Sequence, residues 1–479
     1  MEGMNITEVI VPSVADEFEY AQLGDERRTK RLQAMAEQWS AAPDKCVLRS
    51  SKSSAQAEAA YRFLNNDGFT YIPIVESHVE QTYQRIEQEH TVLVAHDTTE
   101  VEYQGEVIRE GLSRLRGNDQ GFLAHVALAM TADGSRRPLG VAAFVPWVRS
   151  ATKTSKKGGK NRSGGDYAKD DSRESLRWGQ TVEEVSLRTR RASLIHIMDR
   201  EADMFMQMAQ FQAGKHRFVM RLCKDRLVRN GDSEQEVPEK LSEALQKLDG
   251  AFELDVPLSR RAPTSIPGRG FPKRAARLAR LQFSAASIQF KRPQYLTSEP
   301  EWLTVNVVHV QEVNTPDGLE PVEWLLATSE PIATNEQIRR IVEYYRSRWV
   351  IEEYFKALKT GCAIEKRQHE SYETILKMVA ICIPIAWRLL LLRTLARAAP
   401  DEPGTTALTP TQISVLCACS AMKLPAVPTA RQCFDAVALL GGHHRSNGDP
   451  GWLVLGRGME YLLALECGWV AARRYEIDA

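Results

Sequence analysis

With 479 residues, 62 basic and 62 acidic side chains, the chain is long enough for about two to four domains, and its balanced charge favours no partner. Apolar residues at 43% and charged residues at 26% exclude a disordered or fibrous chain and match a soluble globular protein. Eight cysteines, with neither a CxxC pair nor a zinc-type Cys/His spacing, exclude a disulfide scaffold and lead us to expect a reduced, cytoplasmic protein.

The N-terminus lacks the basic-then-apolar layout of a secretory leader. Residues 1–70 read as short helices, with Leu32, Met35 and Trp39 at helical spacing and eight basic against five acidic side chains over 21–62. From residue 90 the pattern turns strand-like. "TVLVAHDTT" is a short apolar run that we expect to end at Asp97, and "GFLAHVALAMTADGSRRPLGVAAFVPWV" reads as two strands joined near Asp133-Gly134. "KTSKKGGKNRSGG" at 153–165 has the composition of a surface loop. A helix over about 173–190, the strand "SLIHIMD" ending at Asp199, a second helix and the strand "HRFVMRLC" follow, around a mixed sheet.

Residues of about 225–330 break this rhythm and read as a β-rich insertion. Its interior, 256–298, holds nine Arg or Lys and no acid, a charge run that needs neutralising from elsewhere. "TNEQ" from Thr334 fits a capping box, starting a helix expected to reach Gly361. From 372 onward the chain reads as helical. Its most apolar stretch, "MVAICIPIAW" at 378–387, is too short on its own to span a bilayer, so no membrane is expected. Cys417 and Cys419, in an apolar context, read as core, and His443-His444 as a polar loop.

Asp97 and Asp199 share one property, a position at the end of an apolar strand, where active sites collect in open sheets. On adjacent strands the two carboxylates would share a divalent cation of the kind that serves phosphoryl transfer. A strand-end aspartate is equally an ordinary turn former. In "YYRSRWVIEEYFKALKTG" (344–361), Tyr345, Arg348, Glu352 and Lys359 fall within about 60° of one another at roughly 100° per residue, whereas Glu353 points away. That stripe is also what a plain Arg348–Glu352 ion pair would give.

Taken in order, "AHDTTEVEY", "IMDREADMF" and "YRSRWVIEEYFKALKTG" resemble the three catalytic blocks of bacterial DDE transposases of the insertion-sequence-4 type. "LGDERRTKRL", "EAAYRFLNN", "RFVMR" and "EWLLATSEPI" extend the resemblance over about residues 20–375. It implies an α/β fold with an RNase H-like (retroviral-integrase-like) core over 71–371, interrupted by the β-rich insertion at about 225–330. A helical DNA end-recognition domain at 1–70 would precede it, and a helical dimerisation domain at 372–479 would follow.

The same resemblance implies Asp97, Asp199 and Glu352 as catalytic ligands of two Mg²⁺ or Mn²⁺ ions. It gives Tyr345, Arg348 and Lys359 to the phosphates beside the cut, Trp324 to a flipped base and Arg221 to hairpin DNA. Arg27, Arg28, Lys30, Arg31 and Arg62 would contact transposon ends, and the basic run with Lys273 and Arg274, together with the loop 153–165, is a candidate for DNA-backbone contacts. The implied activity is cut-and-paste transposition by nicking, hairpin formation, hairpin opening and strand transfer. The implied assembly is a homodimer on double-stranded transposon ends and target DNA. The alternatives are a catalytically silent DNA-binding regulator, a nuclease that cannot join, and a small-molecule phosphatase. The first needs no acids, the second no base-flipping aromatic and the third no basic insertion.

Overall fold

Asp25 starts the first long helix, α1 (Glu26–Ala41), by accepting the Arg27 N–H at 2.9 Å. After α2 (Val47–Ser50), Ser53 caps α3 (Ser54–Leu64) through the Gln56 N–H, and α4 (Ile72–Ile86) carries a proline in its first turn. In this computed structural model the described residues are 13–105, 108–116, 119–149, 174–230, 237–258 and 275–477. The chain divides into two compact units. The first is drawn from Met1–Gly159, Leu187–Ser193 and Trp349–Ala479, the second from Lys160–Ser186 and Leu194–Arg348.

In the first unit, β1 (Thr91–Tyr103) pairs antiparallel with β3 (Asp119–Thr131), whose other edge takes β2 (Ser113–Arg116) and β4 (Pro138–Trp147). The hairpin turn between β3 and β4 uses left-handed backbone at Gly134 and Arg136. The strand ending expected at Asp97 is corrected. β1 runs six residues further, in unbroken register from Val92↔Thr131 to Tyr103↔Gln120, and Asp97 sits opposite Val126 in mid-strand. An equally long partner and the buried alternation of Thr99, Val101 and Tyr103 hold the extension.

The second unit begins with α5 (Leu176–Arg188) and β5 (Ser193–Met198), followed by α6 (Phe205–Ala213) and β6 (Arg217–Arg221). β5 and β6 are parallel. Then come β7 (Leu227–Asn230), β8 (Glu239–Lys240), α7 (Leu241–Gln246) and β9 (Phe252–Leu258). β10 (Arg277–Lys291), β11 (Trp302–Val313) and β12 (Glu323–Thr328) complete the strands. β6 pairs antiparallel with β12, β12 with β11 and β11 with β10, and β10 also pairs with β7 and β9. The sheet is therefore mixed. Its core is aromatic and aliphatic, with Trp178, Phe205, Phe211, Phe218 and Phe290 all buried.

α8 (Asn335–Ser347) has the expected capping box, Thr334 and Gln337 exchanging side-chain and backbone bonds. The uninterrupted helix expected to reach Gly361 is corrected. Arg348 separates α8 from α9 (Trp349–Lys356), and a π-turn takes Ala357–Gly361. Cys362 donates five residues back to Ala357 at 2.9 Å, so Gly361 closes the wide turn. The left-handed residue is Ala363, at φ 48°.

The rest is helical: a 3-10 turn at Ile364–Lys366, then α10 (Tyr372–Ala398), α11 (Pro410–Cys419), α12 (Ala430–Leu440) and α13 (Trp452–Ile477). The apolar stretch judged too short for a membrane belongs to 27-residue α10, which is long and apolar enough to span one, yet its apolar window is wholly buried inside the protein. α10 is the hub of the first unit, packing on α4, β4, α1 and α12, and its Trp387 indole donates to Pro138 O at 3.0 Å. Cys417 and Cys419 are exposed, contrary to their reading as core, and all eight cysteines are free.

Candidate active site and nucleic-acid interface

In the second unit, side chains from four elements gather around Asp199 and Tyr345. Asp199 follows the last position of β5 and caps a 3-10 turn by accepting the Arg200 N–H at 2.6 Å. The Tyr345 hydroxyl, from the last turn of α8, is 3.5 Å from Asp199 Oδ1, and an Arg348 nitrogen lies 3.8 Å from Oδ2. Trp324 of β12 meets the Tyr345 ring edge-on at 5.5 Å. Arg221, the last residue of β6, donates to Glu323 O at 3.2 Å and neighbours the Tyr345 phenol. Burial, and then the Asp199 charge, push the Tyr345 pKa up, which keeps the phenol a proton donor. Buried Asp203 ties down the loop after β6 by accepting from Cys223 N at 2.7 Å and Lys224 N at 2.9 Å, with Arg226 as its ion-pair partner.

In the first unit, α9 packs on β1. Asp97 on β1 accepts the Thr98 N–H at 2.8 Å, and Glu352 lies half-buried on α9. Glu353 faces elsewhere, bridging Lys356 at 2.6 Å and Arg393 at 3.5 Å. Lys359, in the π-turn, donates to Glu100 O and pairs with Glu365 at 3.1 Å. Glu365 escaped the sequence reading, because a helix assumed to end at Gly361 gave no reason for the chain to return to Lys359.

Of the residues expected around one centre, Asp199, Tyr345 and Arg348 belong to the second unit, and Asp97, Glu352 and Lys359 to the first. Among the described residues no set of three or more His, Cys, Asp or Glu side chains is gathered as a ready-made metal site. The expected donor set, carboxylate oxygens alone, has the hard chemistry that Mg²⁺ or Mn²⁺ takes.

The expected DNA-contacting cations differ in their freedom. Arg27 is held by Asp25 at 2.8 Å yet stays 90% exposed, and Lys30 pairs with Glu26 at 2.7 Å. Arg31 is exposed, and Arg62 lies 3.9 Å from Glu58 on the surface of α3. Arg28 turns inward, donating to Leu23 O at 2.8 Å with its guanidinium near the Phe69 ring. Lys273, Arg274 and the loop 153–165 lie outside the described residues. Of the basic run 256–298, Arg277 pairs with Glu312 of β11 and Arg280 with Glu253 of β9. Acids on neighbouring strands therefore supply part of the neutralisation that the sequence left open.

Comparison with known families adds two matches in chain order. Residues 12–69 match the family described as "Transposase DNA-binding", and residues 184–387 match "Transposase DDE domain". The first spans α1 to α3. The second takes in Asp199, Arg221, Trp324, Tyr345, Arg348, Glu352 and Lys359, while Asp97 precedes it. Together they support a DDE transposase that binds DNA. Among solved structures, the chain is similar to a piggyBac transposase in a synaptic complex with hairpin DNA, at 10% identity and a TM-score of 0.30. That match covers 72% of this chain and 55% of the other, so the chain spans about half the length of its structural neighbour.

Proposed function

We propose that this chain is a cut-and-paste DNA transposase of the insertion-sequence-4 type, built on an RNase H-like core. The observation that carries the reading is the convergence of an acid, a phenol, a guanidinium and an indole at Asp199, Tyr345, Arg348 and Trp324. A small-molecule phosphatase has no use for the indole, and a silent regulator has no use for the acid.

Asp97, Asp199 and Glu352 would hold the metal, which when bound supplies charge stabilisation at the attacked phosphorus. Arg348 offers two parallel N–H groups to a phosphate, and Lys359 a compact charge. The protonated Tyr345 hydroxyl donates to a non-bridging oxygen. Trp324 stacks on a base turned out of the helix, which relieves strain at a hairpin. Each reaction step exchanges one P–O bond for another. Water attacks in the nick, the freed 3′-OH attacks the opposite strand to form the hairpin, water reopens it, and the 3′-OH then attacks target DNA. One site serves all four because only the nucleophile changes. Residues 1–70, with Arg27, Lys30, Arg31 and Arg62, recognise the ends, phosphates first and bases second. The helices of 372–479 mediate a homodimer that pairs two ends.

The test is purified full-length protein with duplexes carrying the inverted repeats that flank its gene, in Mg²⁺ or Mn²⁺. Nicks, then hairpins, then joined products are expected. Binding without cleavage would leave a silent regulator, and cleavage without joining a nuclease.

A further inference from the structure

We propose that Glu365 is a positioning residue for Lys359, holding its ammonium against β1 where a DNA phosphate is met. The proposal rests on the reading of Lys359 as a phosphate contact. A lysine side chain is long and mobile, and fixing it costs rotamer entropy unless the fold has already done so. Here the fold has. One oxygen of Glu365 accepts the backbone N–H of Glu102, at 3.2 Å, and lies 3.1 Å from the Lys359 ammonium as its ion-pair partner. The same ammonium donates to Glu100 O. Lys359 is therefore clipped to two points of β1 that lie two residues apart, and Asp97 is three residues back along the same strand, roughly 10 Å away at strand rise.

Glu365 itself sits on a firm base. Left-handed Ala363 turns the chain back after the π-turn, and Glu365 falls in the 3-10 turn that follows. Just beyond it, buried Arg367 donates to Cys362 O at 3.4 Å and Pro43 O at 2.8 Å, with its guanidinium over Trp39 at 4.6 Å. The side chains of Lys359 and Glu365 remain 27% and 30% exposed, so the ammonium stays within reach of a ligand. The ammonium has three N–H groups, so with one donated to Glu100 O and Glu365 as its charge partner it can still donate to a phosphate oxygen.

The experiment uses full-length protein, a 5′-labelled duplex carrying the inverted repeat that flanks the gene, and Mn²⁺. Single-turnover nicking is measured for wild type, Lys359→Ala, Glu365→Ala, Glu365→Gln and the Lys359→Ala/Glu365→Ala double variant, with duplex affinity measured separately in EDTA. Glu365→Ala should slow nicking about tenfold, with affinity within about twofold of wild type. Glu365→Gln, which keeps the acceptor oxygen, should restore most of the rate. In the Lys359→Ala background, Glu365→Ala should add nothing. Equal slowing in both backgrounds would make Glu365 merely structural, and unchanged or faster nicking by Glu365→Ala would make it idle or a mask; each overturns the proposal. If Lys359→Ala nicks normally, the phosphate reading of Lys359 fails, and this inference with it.

Discussion

The Trp324 ring stands edge-on to Tyr345, centroids 5.5 Å apart and planes inclined by 71°, and the Tyr345 hydroxyl reaches to 3.5 Å from Asp199. An aromatic face, a proton donor and a carboxylate thus follow one another within one unit. The indole is half-buried while the phenol is buried, so Trp324 keeps a face for a ligand and Tyr345 serves as its backing. Trp324→Ala is expected to leave the first nick near its normal rate and to lower hairpin yield by about tenfold, the scale of one lost base–aromatic stack. Resolving nicked from hairpin product on a denaturing gel checks this. Equal loss of both products would make Trp324 a support for the Tyr345 ring instead.

Two adjacent glutamates on α9 are separated by their partners. Glu353 holds Lys356 and Arg393, and Arg393 in turn covers Trp452 and donates to Pro450 O at 2.7 Å. Glu353→Ala would strip the charge partner from a largely buried arginine and is expected to cost about 2 kcal/mol of stability. Glu352→Ala should abolish nicking while shifting the melting temperature by no more than about 2 °C. Melting curves beside nicking assays of the two variants decide the matter. Loss of nicking in Glu353→Ala alone, with a normal melting temperature, would reverse the assignment.

The acidic side of the stability profile should be set by a buried cluster far along the sequence from either glutamate. His78 Nε2 accepts the Val141 N–H at 3.1 Å, which makes Nδ1 the protonated nitrogen and the donor to Glu17 at 2.5 Å. Burial lowers the His78 pKa. For Glu17 burial pulls upward, but the Arg85 charge and His78 outweigh it and hold the carboxyl down at about 2. Both groups have folded pKa values below their unfolded ones, so both stabilise at neutral pH, and that stability falls as pH drops. The loss should begin near pH 6.5 with His78 and steepen from about 4.5 toward 2 with Glu17. The Glu17 share is on the order of 3 kcal/mol. Urea denaturation of wild type and Glu17→Gln between pH 3 and 8 measures it; the variant should be less stable at pH 7 and flatter toward acid. Parallel curves for the two proteins would rule out the linkage.

Local signals in the sequence translated directly where the physics is local. The Thr334–Gln337 capping box and the β3–β4 turn depend on a few neighbouring residues and formed as read. The extension of β1 through "TTEVEY" was illegible because its polar residues resemble a loop until β3 supplies their pairing. The π-turn was hidden for a related reason. Projection at 100° per residue assumes α geometry, and the bond from Cys362 to Ala357 that widens the turn leaves no mark in composition. Apart from the resemblance, nothing local to the sequence marks Trp324, since only the tertiary approach of α8 gives its ring a phenol to meet.

Lys377 should show how the C-terminal helices govern the end-binding region. Only 1% of this residue is exposed, and its ammonium donates to Leu64 O at 3.2 Å and Asn66 O at 2.8 Å, beside the Phe69 ring. It thereby neutralises the C-terminal carbonyls of α3, the helix that carries Arg62, and one turn of α10 back Thr374 donates to Asn65 at 3.1 Å. Lys377→Met keeps the packing volume but takes the donor from the buried Leu64 carbonyl and the half-buried Asn66 carbonyl, which should cost about 2 kcal/mol. The frayed end of α3 should also weaken binding to the inverted-repeat duplex about tenfold relative to a random duplex. Urea denaturation and competition binding read the two effects separately. If stability falls and the preference for the inverted repeat does not, Lys377 serves the fold alone, and α3 recognises its DNA without help from α10.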